Sequence, residues 1–198
     1  MKSMLLGVAA AAVALGACNK SPKVDEKNAT PAEVANAVRE SGVANGMFLR
    51  AGEWRIMSTL DEMSMPGMPP EAQAEMKRVI ATQQDRGFQY CLTPEEAKEP
   101  RGKFFGGKEA NNCRYDHFTM GNGKIDAEMH CPGEPSGQMV MTMNGTYSPD
   151  AYSTKMSMEV QGGHEGTMTM KLHSEAKRIG ECTAAEKAAA EKDKGTKG

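Results

Sequence analysis

The chain reads as a mostly β, α+β protein: a curled antiparallel β-meander with a helix packed on its apolar face, plus a short N-terminal helix. Three observations lead there. From Cys113 onward apolar and polar residues alternate, the period of a half-buried strand. The alternating runs are separated by Gly-Asn-Gly, Pro-Gly-Glu-Pro, Ser-Pro-Asp and Gly-Gly, connections short enough to join only antiparallel neighbours. Two earlier stretches carry helical spacing behind a proline, at Pro31 and at Pro70.

Lys2 and the apolar run from Met4 to Leu15 come first. The run falls short of the roughly 18 apolar residues that a membrane span needs, so 1–17 is read as a secretory signal peptide. It closes on Leu15-Gly16-Ala17-Cys18, which resembles the bacterial lipobox, where the cysteine takes lipid and palmitate is incorporated. Asn19 at the next position resembles the signal for sorting to the outer membrane. The expected location is the cell envelope, lipid-anchored through Cys18 and facing the periplasm, with the membrane as partner through its acyl chains.

Residues 18–45 are expected to be a lipidated tether with a short helix, 46–182 a β-rich domain, and 183–198 a mobile charged tail. Asn19 to Lys27 is polar and reads as solvated chain. Thr30-Pro31-Ala32-Glu33 is a capping box; Val34, Ala37 and Val38 share one face of the helix it opens, and Gly42 stops it. Trp54, Ile56, Ser58 and Leu60 alternate as a strand, and Met63 to Pro70 is a proline-and-methionine loop. Pro70 opens a second helix whose Met76, Val79, Ile80 and Gln83 share a face. Phe88–Cys91 is a short strand, Thr93-Pro94-Glu95 starts one helical turn, and Arg101 to Asn112 is loop. Strands are then expected over 113–120, 124–131, 138–147, 152–161 and 167–175.

Loop length converts these strands into registers, because opposed residues must share a face. A three-residue loop at Gly121–Gly123 sets Met120 opposite Lys124 and Cys113 opposite Cys131, within disulfide range. Symmetric closure around Pro135 sets Met129 opposite Met141, and a loop at Ser148–Ala151 sets Met141 opposite Met158 and Met143 opposite Met156. A three-residue loop at Gly162–His164 then sets Met158 opposite Met168 and Met156 opposite Met170. The expected methionine row is Met129, Met141, Met158 and Met168; Thr142, Asn144, Lys155, Ser157, Glu159, Thr169 and Lys171 occupy the reverse face.

Composition bounds the chemistry. Net charge is −2 with no basic stripe, which argues against nucleic acid as a partner. Five cysteines leave four once Cys18 is assigned to lipid, an even number that permits three pairings in an exported chain. Register selects Cys113–Cys131, and elimination leaves Cys91–Cys182. The 17 methionines against 5% aromatics describe a soft, adaptable interior. Core packing under the second helix is the first expectation for the methionine face, with Met141 and Met158 buried. A soft-metal role for Cu(I) or Ag(I) is the alternative, drawing on Met63, Met65, Met68, Met141, Met158 and Met168; an oxidation sink is a third. No other cofactor is expected. His117 is placed on the Cys113/Tyr115 face, His130 on the other, and no His pair has zinc-ligand spacing. Ser174-Glu175-Ala176-Lys177 matches Ser-x-x-Lys but sits in a strand, without its companion motifs.

Several segments together resemble a proteobacterial envelope family catalogued as domain of unknown function 3617. They are Gly52-Glu53-Trp54, Met65-Pro66-Gly67-Met68-Pro69-Pro70-Glu71, Cys91-Leu92-Thr93-Pro94-Glu95, the Met-Thr-Met strands and Arg178-Ile179-Gly180-Glu181-Cys182. The resemblance spans about Ala51 to Cys182. It departs at Ala51, where the family usually has proline, and in the helix before Trp54. It implies export and a shared fold, with no activity to carry over. The expected function is a non-catalytic binding or structural role in the envelope; an unrecognised hydrolase is the reading from another class.

Overall fold

The computed structural model describes residues 23–43, 48–84, 87–98, 112–133, 137–162 and 166–195. The signal segment 1–17, Cys18, Asn19, Pro135, His164 and residues 101–111 lie outside the described residues.

The N-terminal segment becomes part of the core. Residues 23–27, expected as solvated tether, belong instead to β1 (Lys23–Ala29), which pairs antiparallel with β4 (Arg114–Gly121). Its alternation is the reason: Val24 is turned inward and buried while Lys23 and Asp25 stay in water. Thr30 then caps α1 (Pro31–Glu40): its hydroxyl accepts from the Glu33 amide, and the Glu33 carboxylate accepts from the Thr30 amide at 2.7 Å. These bonds hold the Glu33 carboxyl below its ordinary value. Val34 and Val38, one turn apart, are fully buried, each contributing about 1.5–3 kcal/mol of apolar transfer.

The remaining strands are β2 (Gly52–Ser64), β3 (Phe88–Leu92), β5 (Lys124–Pro132), β6 (Gln138–Ser148), β7 (Ala151–Gln161) and β8 (Met168–Gly180). They form one open antiparallel sheet ordered β1-β4-β5-β6-β7-β8-β2-β3. The meander runs from β4 to β8 as expected, and β2 closes against β8 to continue it. Three further helices are α2 (Pro70–Gln84), α3 (Pro94–Lys98) and α4 (Ala184–Gly195). α4 stands where a mobile tail was expected, opened by a Thr183/Glu186 capping box.

Two disulfides join the expected partners: Cys113–Cys131, with Cα atoms 4.1 Å apart, and Cys91–Cys182 at 5.6 Å. The first was reached through a turn that differs from expectation. Asn122 and Gly123 form a two-residue loop with positive φ at both positions, so Met120 faces Ile125 rather than Lys124. A bulge between Tyr115 and His117 absorbs the one-residue difference, and beyond it Arg114 faces His130, which restores the cysteine register. The bulge also reverses the faces of the distal strand. Phe118 is buried at 0% exposure, and His117 moves to the outer face, where Nε2 lies 2.7 Å from Asp126. Burying a phenyl ring instead of an imidazole explains the switch.

The second disulfide passes the end of β2, which lies between β3 and β8. Gly52 makes room there, with φ +145°; a Cβ would stand 2.4 Å from Arg178 Nε and 2.5 Å from the Gly180 carbonyl oxygen. Beside it Trp54 is fully buried, donates from Nε1 to the Arg50 carbonyl at 2.9 Å and stacks on Tyr152.

The second helix does not cover the methionine face. α2 packs beside β2, its residues are exposed or half-buried, and Val79 is 48% exposed. α1, with its narrow valine stripe, is the helix in the main core cluster. Met141 and Met158 are accordingly half-buried, where burial had been expected.

Candidate functional site

Five adjacent strands place a methionine at the same level of the inner face. Met129 faces Met141, Met141 faces Met158, Met158 faces Met170, and Met170 faces Met63. Met170 occupies the position expected for Met168, which instead faces Val160. The β7–β8 connection is thus two residues out of the expected register. A slip of two keeps every side chain on its face, so the methionine and polar faces remain as anticipated. Met63 joins the row because the register shifts between Leu60 and Glu62; Met63 and Ser64 extend β2, where loop had been expected.

The row is closed at its two ends and open between them. Met129 and Met63 are 4% and 3% exposed, whereas Met141, Met158 and Met170 are half-buried. The next rung, Ala127, Met143, Met156, Leu172 and Leu60, is apolar too. Then comes a polar rung of Thr154, Ser174 and Ser58, in which the Ser58 and Ser174 hydroxyls lie 2.8 Å apart. A tier of buried Tyr147 and Ala176 with half-buried Tyr152 and Ile56 follows at this end. Burial raises the pKa of all four tyrosines: that of Tyr115 is pushed up to about 12, and desolvation is the largest cause at Tyr90, Tyr147 and Tyr152 as well.

The loop over residues 65–69 lies at the opposite end. Gln73, in α2, donates from Nε2 to the carbonyls of Met65 and Met68 at 3.0 and 2.9 Å, and Met65 and Met68 are half-buried. Pro66 lies against Gly166, two residues before Met168, which is 39% exposed. The loop and strand methionines, distant in sequence, therefore share one end of the sheet.

A second group on the outer face escaped sequence reasoning. His130 Nε2 lies 3.1 Å from both Asp116 Oδ2 and Glu128 Oε1, and Nδ1 lies 2.5 Å from Gln138 Nε2. Among the described residues it is the one group of three such donors gathered within 4.8 Å. Glu128 and His130 stand two apart on one strand face, a visible signal. Asp116 arrives only through the bulge, which no pattern announced. The Ser-x-x-Lys residues are not assembled, since Ser174 faces inward to Ser58 while exposed Lys177, three positions on in the same strand, falls on the other face.

No described helix is long and apolar enough to cross a membrane. Sheet, disulfides and half-covered apolar face together define a β-rich, disulfide-bridged domain with an open methionine-lined surface. The chain belongs to the family described as protein of unknown function DUF3617, which matches residues 49–182. No curated protein and no solved structure matches it. The family match begins after β1 and α1, although Val24, Val34 and Val38 are among the most deeply buried residues.

Proposed function

We propose that this is a lipid-anchored, non-catalytic protein of the bacterial cell envelope, facing the periplasm, whose open methionine face is a binding surface. The observation that carries the binding role is that face: Met141, Met158 and Met170 in adjacent register, half-buried, with α2 set to one side over β2. A face kept only for stability gains most when covered, as α1 covers the valine and aromatic end. Location is supported by Leu15-Gly16-Ala17-Cys18 and by two disulfides, which persist in oxidising compartments.

Replacing Cys18 with Ser tests the anchor. The expected result is an unprocessed precursor that incorporates no labelled palmitate, against a processed, palmitate-bearing parent in the membrane fraction. Normal processing of the variant with retained fractionation overturns the anchored reading.

A further inference from the structure

We propose that the open stretch of the methionine row, Met141, Met158 and Met170, binds a soft monovalent cation, Cu(I) or Ag(I). This rests on the binding role above and gives it a ligand class. The donors are the first argument. Thioether sulfur is a soft ligand that suits Cu(I). All four cysteines from Cys91 to Cys182 are held in disulfides, so the soft donors this domain offers are its methionines.

Spacing is the second argument. Neighbouring strands stand about 4.8 Å apart, and two metal–sulfur bonds of about 2.3 Å, the length for zinc and thiolate, reach nearly the same distance. Three residues on β6, β7 and β8 at one level can thus share an ion between sulfurs carried on three rotatable bonds each. Surroundings are the third. On these strands the inner face around the row carries Met139, Met143, Met156, Val160, Met168 and Leu172, with no carboxylate among them. A hard dication finds no anionic oxygen there, whereas a large monovalent ion loses less hydration on entering.

The outer group of His130, Asp116 and Glu128 is the competing site, and a His130→Gln variant removes it without touching the methionine face.

The test uses the full chain, oxidised, in a nitrate buffer, with Cys18→Ser in every arm so that no free thiol competes for silver. Ag(I) is titrated into this protein and into its His130→Gln variant while thermal melts and methionine-methyl NMR are recorded. A Met141→Leu/Met158→Leu/Met170→Leu variant keeps volume and apolarity. Expected are a rise in unfolding midpoint with or without His130, shifts of those three methyl resonances, and at least a tenfold loss of affinity in the triple variant. No Ag(I) response, or an undiminished one in the variant, overturns the proposal. So does a response abolished by His130→Gln. Should the triple variant fail to fold, Met158→Leu and Met170→Leu are read singly by the same resonances. An apolar fluorescent dye separates the two readings: dye binding on the methionine face without a silver response removes the ion and keeps the binding surface, and loss of both removes the binding surface too.

Discussion

The two ends of the inner face are made of different side chains and are closed to different degrees. Around β1, β4 and β5, α1 adds Val34 and Val38 to Val24, Phe118, Met120 and Ile125, none more than 3% exposed. Over β6, β7 and β8 the residues are largely unbranched methionines left half-buried. Both regions are apolar, so hydrophobicity does not separate them. Stiffness does: β-branched and aromatic side chains hold few rotamers and fit a narrow helix face closely. Thioether chains adapt to many neighbours and specify none. One end is closed as a core, and the other is left half-open to solvent.

The largest expected effect comes from the cross-links that hold each region. Cys91–Cys182 closes a separation of 91 residues and ties the β3 edge to the end of β8; Cys113–Cys131 closes 18 within one hairpin. On the chain-entropy model the first contributes roughly 4.5 kcal/mol and the second roughly 3. Denaturant unfolding of the Cys91→Ala/Cys182→Ala and Cys113→Ala/Cys131→Ala variants should rank them in that order. A reversed order would show the methionine side holding together without its bridge.

Side-chain truncation addresses the comparison directly. Phe118→Ala, at a fully buried site, should cost about 3–5 kcal/mol, whereas Met158→Ala, at a half-buried one, should cost less than about 2. Chemical denaturation measures both. Equal losses would mean that the methionine end is packed as tightly as the valine end.

A smaller effect follows from Tyr115, buried at 4% exposure in the closed end, whose pKa rises from 10.0 to about 12 because its phenol is desolvated. The folded state therefore keeps a proton that the unfolded chain gives up. That contribution is whole below about pH 10 and is lost as pH climbs to about 12, on the order of 2–3 kcal/mol. Alkaline titration followed by tyrosinate absorbance should show unfolding and ionisation together, and Tyr115→Phe should blunt the loss. Ionisation of Tyr115 well below unfolding would show this end open to water.

Much of the fold was legible because strands announce themselves by alternation and turns by glycine and proline. The five strands of the meander fall where they were read, and Met129, Met141 and Met158 face one another as the loop lengths required. Misreadings came from non-local effects. Lys23 to Lys27 looks like tether because its charges are dense, and only the free edge of β4 makes it a strand. α2 follows a proline with helical spacing as α1 does, yet its residues stay exposed or half-buried. Of the candidate site, the face was readable and the membership was not: Met170 replaced Met168 by a two-residue shift that faces do not report.

Sequence alone determined the alternation that sorts residues to one face or the other, the capping box at Thr30 and the Cys18 motif. These depend on periodicity, loop length or adjacent residues, all of which the chain carries locally. Tertiary structure decided which helix covers which part of the sheet, where bulges fall, and that β2 closes on β8 to bring Met63 beside Met170. Those outcomes depend on volumes meeting across the fold. Phe118 turns inward only because β5, β1 and α1 together leave space for it, and no residue beside it in sequence encodes that space.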